Sequence, residues 1–430
     1  MPAPTQASSD LPLPNLPQWL QRLERLHPQE IELGLERVAQ VWRRMRPQGL
    51  SECRVITIAG TNGKGSCATL LEAILGVAGY RTGCYTSPHL LRYNERIRVN
   101  GEEVSDQAIC EAFQRIDACR GDISLTYFEF GTLAALDIFA GRGLDVLILE
   151  VGLGGRLDAV NIIDPDLALI TGVDLDHMDW LGPDRDSIAL EKAGILRPDR
   201  PAVYGDLDVP PSLERRASEV GAPLYRLGRD YRYERQVSDW RWEGLGQSRY
   251  TLPLPGLRGE CQLRNAAAVL MALHLLSAEL PVGQAAVRSG LRTLTLPGRF
   301  QVVPGQITLV LDVAHNPQAA QVLAANLAAL APLGRVHAVF AILADKDLEG
   351  VVATLAGRVY SWHLPRLPGR RSLPLDRLVE RVGRAAPGAY LAGYDSVSLA
   401  LEGARGLAVA GDCILVFGSF LTVARVLERL

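Results

Sequence analysis

Runs of apolar, strand-like residues alternate with helical periodicity along almost the whole chain. Strands are predicted at 145–149 and 166–170, with a weaker one at 202–204, and helices at 71–78, 109–118 and 132–139. This alternation is typical of a mostly parallel sheet that carries helices on both faces. Residues 232–254 differ, because their Tyr and Trp side chains and their period-two pattern indicate a small antiparallel excursion.

A glycine-rich turn lies between a strand-like run and a helical segment early in the chain. The apolar run 55–58 stops before Gly60, and helical residues follow Lys64. Gly60, Gly63 and Gly65 let backbone N–H groups point inward, while the helix dipole and the Lys64 ammonium add positive charge. The order strand, glycine loop, helix therefore predicts a phosphate-binding loop (P-loop), with an ordinary turn as the alternative.

The loop departs from the commonest phosphate-binding pattern at one position. A Ser or Thr usually follows the lysine directly and holds magnesium. Here Gly65 follows Lys64, and Ser66 comes one residue later. One helical step turns a side chain by about 100°. A hydroxyl from elsewhere in the chain would therefore be needed at the metal.

Acidic and histidine side chains follow two of the predicted strands. Glu150 ends the strand at 145–149, and Asp174, Asp176 and His177 follow the strand at 166–170. Ligands of open α/β sheets gather at the carboxyl ends of the strands, where such side chains can hold magnesium. The alternatives are a solvated acid, a capped loop and, for the glycine run at 152–155, a dinucleotide fingerprint.

A second domain is predicted after the turn at Pro297-Gly298, where the alternation starts again. Its predicted strands cover 307–311, 336–341, 359–362 and 413–417, and its predicted helices cover 319–330, 373–382 and 397–407. The chain is thus predicted to be an α/β protein with three parts. These are a flexible tail (1–18), a P-loop-containing, mostly parallel sheet domain (19–296) and a smaller Rossmann-like α/β domain (297–430).

Three features of the second domain are candidates for chemistry. Asp312 follows a predicted strand and could accept a hydrogen bond from a sugar hydroxyl. Asn316-Pro317 could simply begin a helix, since Pro is favoured at a first helical position. The segment 345–347, Asp-Lys-Asp, is either a strand-end loop of the site or a solvated charge cluster.

Composition narrows the class of partner and compartment. The 430 residues include 45 basic and 48 acidic ones, a net charge of −3, which argues against a nucleic-acid partner. Seven scattered cysteines without metal spacing fit reduced thiols in a cytoplasmic protein. We expect no membrane partner, because the chain has no apolar run long enough to span a bilayer, and residues 1–17 lack the features of a signal peptide.

Motifs distributed along the chain resemble the bacterial folylpolyglutamate synthase/dihydrofolate synthase family, relatives of the Mur amide ligases. The matching segments occur in family order from about residue 19 to the C-terminus. They are 31–37, 60–66, 86–90, 95–97, 100–101, 126–129 with Thr132, 150–158, 176–177, 191–195, 296–299, 312–317, 345–347 and 417–420. Two departures stand out: Glu32 replaces a frequent Asp, and Val160 replaces a common Thr.

The resemblance implies a set of site residues. ATP would be bound by Asn62, Gly63, Lys64, Gly65, Ser66, Asn265, Arg299 and Asp312, and magnesium by Ser87, Glu150 and His177. A pterin pocket would be formed by Glu32, Leu33, Gly34, Thr126, Tyr127, Phe128, Glu129, Leu157, Asp158 and Ala159. Lys192 stands at the family's carbamylated lysine, which would hold a second metal ion, and His315 lies in a motif linked to glutamate. Lys64, His177, Lys192 and His315 would be the catalytic residues.

The resemblance also implies an activity. The chain would be an ATP-dependent amide ligase that adds L-glutamate to dihydropteroate, giving dihydrofolate, and to reduced folates, through an acyl phosphate. It would use one or two Mg²⁺ ions and act as a cytoplasmic monomer. Three alternatives remain: a folylpolyglutamate synthase only, a Mur-type amino-acid ligase, which would need a further N-terminal domain, and a nucleotide-dependent switch without ligase chemistry.

Overall fold

The computed structural model describes residues 14–29, 31–50, 52–369 and 371–430. The first thirteen residues of the predicted tail lie outside this range. The first helix, α1 (Leu16–Leu26), begins inside the predicted tail, so the end of that tail is corrected to an earlier residue. The helix starts there because the Asn15 side chain accepts a hydrogen bond from the Gln18 N–H and because Leu16 and Trp19 are buried.

An eight-stranded sheet forms the centre of the first domain. Its strands are β1 (Arg54–Ala59), β2 (Thr82–Tyr85), β3 (Ile97–Val99), β4 (Glu102–Glu103), β5 (Val146–Glu150), β6 (Leu167–Ile170), β7 (Ala202–Tyr204) and β8 (Leu224–Arg226). The spatial order is β4-β3-β2-β5-β1-β6-β7-β8. All neighbouring strands are parallel except β2-β3 and β3-β4.

Helices cover both faces of this sheet. They are α2 (Glu36–Met45), α3 (Lys64–Val77), α4 (Asp106–Arg120), α5 (Tyr127–Ala140), α6 (Met178–Leu181), α7 (Arg185–Lys192), α8 (Pro211–Val220), α9 (Glu260–Leu275) and α10 (Gln284–Thr293). Successive β1 residues point to opposite faces, so Val55 joins the core under α1, α2, α4 and α5, whereas Ile56 joins the core under α3, α9 and α10. The sheet is therefore buried on both sides, as the alternating pattern predicts.

The predicted antiparallel excursion is a three-stranded sheet. It consists of β9 (Tyr231–Arg235), β10 (Asp239–Gly244) and β11 (Gln247–Pro253), with β10 in the middle. Trp240 and Trp242 alternate inward from β10 and are fully buried, and they belong to the same core as α9. The period-two pattern in this segment thus places its two tryptophans in the interior.

A six-stranded sheet forms the second domain. Its strands are β12 (Gln301–Val303), β13 (Thr308–Leu311), β14 (Val336–Phe340), β15 (Ser361–Pro365), β16 (Tyr390–Tyr394) and β17 (Cys413–Phe417). They are ordered β12-β13-β17-β14-β15-β16, and only the β12-β13 pair is antiparallel. The helices are α11 (Pro317–Leu330), α12 (Leu348–Leu355), α13 (Leu375–Ala385), α14 (Val397–Leu407) and α15 (Phe420–Leu427). The predicted fold class, two successive α/β units with mostly parallel sheets, is confirmed.

One predicted strand is displaced. The strand expected at 359–362 runs from Ser361 to Pro365, because the polar residues Ser361 and His363 lie inside the sheet. They belong to a chain of hydrogen bonds that we call the sheet cluster: Asp412, His337, Ser361, His363 and Tyr394. Consecutive members lie 3.1, 2.8, 3.0 and 3.0 Å apart. Buried polar groups with such partners are tolerated in a sheet, which a hydrophobicity pattern does not reveal.

Candidate active site

The predicted phosphate loop leaves β1 at Ala59 and enters α3 at Lys64. Gly63, just before the helix, has φ of 90°, and a side-chain carbon there would lie 2.7 Å from Asn265 Oδ1. Gly60 also has a positive φ, and any side chain at that position would overlap Thr171. Both positions therefore require glycine, which leaves the backbone N–H groups of the loop open toward a ligand.

Two side chains fix the shape of this loop. The Lys64 Nζ donates to the carbonyl oxygens of Gly60 at 2.9 Å and Thr61 at 3.4 Å, so the ammonium lies over the loop. The Thr171 hydroxyl, at the end of β6, donates to the Asn62 carbonyl at 2.6 Å. The loop is thus held in a defined conformation, with its positive charge above the start of α3.

Glu150 is the buried carboxylate beside the loop. It ends β5 with 4% exposure, and its Oε2 accepts a hydrogen bond of 3.1 Å from the Ser87 N–H. A side-chain carbon at Gly65 would lie 3.8 Å from the same oxygen. Burial raises the pKa of Glu150, although Lys64, the Ser87 N–H and more distant arginines act in the opposite direction. Such a carboxylate gains most from a cation placed next to it.

The oxygen donors near Glu150 suit magnesium. Within the described ranges, no three His, Cys, Asp or Glu side chains group into a metal site by themselves. Ser87 lies next to Glu150 and brings the hydroxyl that Ser66 was not expected to supply. Mg²⁺ is usually bound by one or two carboxylates together with waters and substrate phosphates. The residues present therefore fit a magnesium ion that is completed by the nucleotide.

Residues of both domains meet at Asp176. We call this group the cleft cluster; it consists of Asp176, His177, His315, Asn316 and Lys346. The Lys346 Nζ lies 2.7 Å from Asp176 Oδ1 and 3.1 Å from His177 Nε2. His315 Nε2 lies 3.8 Å from Asp176 Oδ2, and the Asn316 amide donates to the same oxygen at 3.2 Å. Asp176 and His177 follow β6, whereas the other three residues belong to the second domain.

The charges in the cleft cluster are strongly perturbed. Burial alone would raise the pKa of Asp176, but Lys346 and the two histidines hold that pKa well below its usual range. Burial lowers the pKa of His177 and of His315 to about 4. At neutral pH the cluster therefore contains an ionised Asp176 and two neutral imidazoles. Neutral imidazole nitrogens can accept protons or bind a metal.

A second cross-domain contact joins the phosphate loop to α11. The Asn62 amide donates to Asn316 Oδ1 at 3.2 Å and to Gln318 Oε1 at 2.6 Å. Asn316 also caps α11, since its Oδ1 accepts from the Ala319 N–H at 2.9 Å. The Asn316-Pro317 pair therefore begins a helix, as one alternative held, and in addition touches the nucleotide loop.

Arg299 and Asp312 lie at the junction of the two domains. The Arg299 guanidinium lies 5.1 Å from the centre of the Phe420 ring, and its Nη1 is buried without a hydrogen-bond partner among the described residues. Burial lowers the pKa of Arg299. Asp312 accepts backbone N–H bonds of 2.8 Å from Phe300 and Ala314. An unpaired buried guanidinium nitrogen suits an anion that enters the cleft, such as a nucleotide phosphate.

Lys192 ends α7 and is 4% exposed. Burial lowers its pKa to about 7, and the nearby Lys64 charge acts in the same direction. Its acidic neighbours have other partners: Glu191 pairs with Arg156 at 2.8 Å, and Asp186 accepts from the Ser212 N–H at 3.1 Å. An ordinary helix lysine would pair with Glu191 or Asp186. Lys192 therefore does not have that ordinary role.

The three segments predicted to form the pterin pocket contact one another. The Gly34 N–H donates to the Leu157 carbonyl at 3.2 Å. Arg37 bridges Glu32, through its backbone carbonyl at 3.0 Å, and Glu129 Oε1 at 3.2 Å. A hydrogen bond from His27 and the charge of Arg37 lower the pKa of Glu32 despite an opposing contribution from burial. The segments thus converge.

Further contacts fix the residues of these segments. Thr126 and Glu129 form a capping box at the start of α5, and Phe128 fills the space beside Gly152. The Asp158 carboxylate accepts the N–H groups of Gly152 at 3.1 Å and Leu153 at 2.9 Å. The segment that contains Leu157 and Ala159 is thereby connected to the glycine run after Glu150.

One cavity of about 240 Å³ lies between the domains. It is lined by all of the predicted site residues outside the pterin segments: Asn62, Gly63, Lys64, Gly65, Ser66, Ser87, Glu150, His177, Lys192, Asn265, Arg299, Asp312 and His315. The sequence predicts no specific role for two members of the cleft cluster, Asp176 and Lys346. Their positions after β6 and β14, at the carboxyl ends of strands, are the feature that could have indicated a functional role.

Fold and cleft together define a two-domain α/β protein in which the predicted phosphate loop of one domain faces charged residues of the second. The glutamate ligase domain family of the Mur ligases matches residues 298–420. The chain is 46% identical over 416 residues to the dihydrofolate synthase/folylpolyglutamate synthase of Escherichia coli (strain K12), covering 96% of this chain and 95% of that protein. It is 40% identical to the enzyme of the same name from Haemophilus influenzae, covering 95% and 96%.

Two solved structures are similar over nearly the whole chain. E. coli FolC in complex with DHPP and ADP has a TM-score of 0.91 and 45% identity, covering 99% of each chain. A bifunctional folylpolyglutamate synthase/dihydrofolate synthase with Mn, AMPPNP and L-glutamate bound has a TM-score of 0.88 and 46% identity, covering 97% and 98%. The chain belongs to the dihydrofolate synthase/folylpolyglutamate synthase family, and the predicted resemblance is confirmed. Among the described residues, no helix has the length and apolar character needed to cross a bilayer.

Proposed function

We propose that the chain ligates L-glutamate to dihydropteroate and to reduced folates at the expense of ATP, through an acyl phosphate. The observation that carries the proposal is the shared cavity, which is lined by the phosphate loop, Glu150 and Lys192 of one domain and by Arg299 and His315 of the other. Relatives that bind ADP with DHPP, or AMPPNP with L-glutamate, support the same assignment.

The chemistry requires charge neutralisation above all. A carboxylate must attack the γ-phosphorus of ATP and displace ADP. The amino group of glutamate then attacks the carbonyl carbon of the acyl phosphate, which forms the amide and releases inorganic phosphate and the amine proton. Lys64, the N–H groups of the loop and the unpaired Nη1 of Arg299 supply positive charge where the two anions meet. Asn265 and Asp312 line the same cavity and are proposed to contact the nucleotide.

Ser87, Glu150 and His177 are the proposed magnesium ligands. A bound Mg²⁺ supplies Lewis acidity and further charge neutralisation at the phosphates. A relative with Mn bound supports a divalent ion in this family. In this chain Glu150 contributes a buried carboxylate, and the neutral imidazole of His177 can serve as a ligand once Lys346 moves from its Nε2.

We propose that Lys192 is carbamylated. Only a neutral amine reacts with CO₂, and a pKa of about 7 leaves a large fraction of Lys192 neutral at physiological pH. The product would be an anion able to help hold a second magnesium ion. Mass spectrometry of the intact protein at neutral pH should show the added CO₂, which acid treatment removes; an unmodified mass at all bicarbonate concentrations contradicts the proposal.

The two domains, 19–296 and 297–430, are proposed to divide the substrates. The pterin would occupy the pocket of Glu32 to Gly34, Thr126 to Glu129 and Leu157 to Ala159, while glutamate would enter from the side of His315. Cleft closure would bring them together and limit hydrolysis of ATP by water. We further propose that the protein acts as a monomer in the cytoplasm.

Release of phosphate from ATP tests this function directly. We expect release only when both dihydropteroate and glutamate are present, whereas a nucleotide switch would hydrolyse ATP without them. Arg299→Ala should reduce turnover by roughly 100- to 1,000-fold with an unchanged circular dichroism spectrum, because transition-state charge loses its donor. Near-normal activity of this variant would contradict the role of Arg299.

A further inference from the structure

Arg96 is a buried cation for which the described residues provide no anionic partner. It is 8% exposed and lies just before β3. Its guanidinium lies 5.4 Å from the ring centre of Tyr93 and 5.7 Å from that of Tyr127. Its Nε donates to His89 Nδ1 at 2.8 Å. No carboxylate in the described part of the chain forms an ion pair with it.

The neighbouring Arg98 shows what such a residue ordinarily has. Arg98 is also largely buried, but its Nε donates to Glu72 Oε2 at 2.7 Å and its Nη1 to the Glu95 carbonyl at 3.1 Å. At Arg96, by contrast, the partners are the His89 imidazole and the nearby Tyr85 hydroxyl, neither of which is a carboxylate. Buried arginines are normally paired with an anion, so the missing counter-charge requires an explanation.

The position of Arg96 suggests where that anion comes from. Tyr127, under its guanidinium, opens α5 in the segment 126–129 of the proposed pterin pocket. His89, bonded to its Nε, comes two residues after Ser87, whose N–H bonds Glu150 at the phosphate end of the cleft. Arg96 therefore contacts the proposed pterin pocket through Tyr127 and the loop that carries Ser87 through His89.

We propose that Arg96 binds the α-carboxylate of a glutamyl acceptor and so determines the enzyme's use of folates. Reduced folates carry this second carboxylate beside the γ-carboxylate that reacts, whereas dihydropteroate carries only the reacting one. The planar guanidinium can bind a carboxylate with two parallel hydrogen bonds, a geometry that a lysine cannot reproduce. The inference rests on the proposed function, because it concerns the choice between the two acceptors.

Steady-state kinetics with both acceptors test the role of Arg96. We expect Arg96→Gln to raise the KM for tetrahydrofolate roughly 10- to 100-fold, as loss of a charge-assisted hydrogen bond does, while the KM for dihydropteroate changes less than about threefold. Arg96→Lys should give an intermediate KM for tetrahydrofolate. Arg92→Gln, which removes an exposed arginine on the same loop, is the matched control and should leave both KM values unchanged.

The results separate this inference from the proposed function. Equal changes for both acceptors, or no change, would overturn the role of Arg96, since a merely structural arginine does not distinguish the two substrates. A wild-type protein that ligates glutamate to neither acceptor would instead overturn the proposed function. If thermal unfolding shows that Arg96→Gln does not fold, the ratio of the two KM values in Arg96→Lys decides the question.

Discussion

The cleft cluster and the sheet cluster use the same residue types in opposite ways. Each contains one buried aspartate and two histidines. In the sheet cluster every histidine nitrogen has a partner within one sheet, and His337, Ser361 and His363 are at most 1% exposed. In the cleft cluster the partners come from two domains, and His177 and His315 keep about a quarter of their side chains exposed, 28% and 25%.

The difference shows which feature of a buried histidine indicates function. Burial lowers the pKa of His363 to about 4, just as it does for His177 and His315, so a lowered pKa does not distinguish the two clusters. The cleft cluster differs because it contains a cation, Lys346 of the second domain, which contacts Asp176 of the first domain. The sheet cluster satisfies its polar groups, including the Asp412 carboxylate, with hydrogen bonds inside one domain, which favours stability over reactivity.

The most direct test of the difference between the two clusters is to remove the Lys346 ammonium. We expect Lys346→Met to reduce ligase turnover by roughly 1,000-fold, or about 4 kcal/mol, because the cleft must gather several anions and this ammonium is buried among them. A steady-state assay of product formation measures the loss. Ser361→Ala in the sheet cluster is the control, and its turnover should match that of the wild type. Equal activity of the two variants would refute the assignment of function to the cleft cluster.

Removing Asp412 from the sheet cluster should lower the stability of the protein and leave its turnover unchanged. Asp412 accepts the N–H groups of Val409 at 2.8 Å and Arg335 at 2.7 Å, and it also bonds His337. Asp412→Ala leaves these donors unsatisfied, so we expect the free energy of unfolding to fall by about 3 kcal/mol, with turnover unchanged. Urea unfolding measures the first quantity. A loss of turnover at a temperature where the variant is fully folded would contradict the prediction.

The sequence predicts the fold class and the nucleotide side of the site because both depend on local patterns. Strand-glycine-helix order identifies the loop at Gly60 to Ser66, and alternation identifies the sheets. The role of the segment 345–347 is harder to predict. Its sequence fits both a solvated charge cluster and a site loop, and only the structure brings it to the loop that follows β6. Lys346 and Asp176 are 170 residues apart in the chain, so their ion pair follows only from tertiary structure.

Buried polar residues are the second feature that the sequence pattern does not predict. The strand predicted at 359–362 runs instead from Ser361 to Pro365 and contains the buried His363. Its burial is explained by Ser361 and by Tyr394, which comes from a strand further along the chain. Arg96 is a second example, since only the structure reveals that it is buried and that no carboxylate of residues 14–29, 31–50, 52–369 or 371–430 pairs with it.

Acid pH offers a smaller perturbation of the sheet cluster. Burial, together with His337, lowers the pKa of His363 to about 4. The unfolded chain therefore takes up this proton first, so the stability that His363 contributes is complete above pH 6.5 and is lost as the pH falls toward 4. Between pH 7 and 5.5 we expect a loss of about 1.2 kcal/mol from this residue. Urea unfolding of wild type and His363→Gln at both pH values isolates it; equal pH dependence would contradict the assignment.

The hydroxyl of Tyr394 provides the mildest test, because it forms the outer end of the sheet cluster. It bonds His363 Nδ1 at 3.0 Å, while the two rings stack with centroids 5.7 Å apart. Tyr394→Phe keeps the stacked ring and removes one hydrogen bond at a half-buried position, so we expect a loss of about 1 kcal/mol. Ser361→Ala, in the fully buried middle, should cost more, since two histidine nitrogens lose their partner. If urea unfolding showed a larger loss for Tyr394→Phe than for Ser361→Ala, Ser361 would not be the central residue on which the hydrogen bonds of the sheet cluster depend. The shared residue types of the sheet cluster and the cleft cluster would then need another explanation.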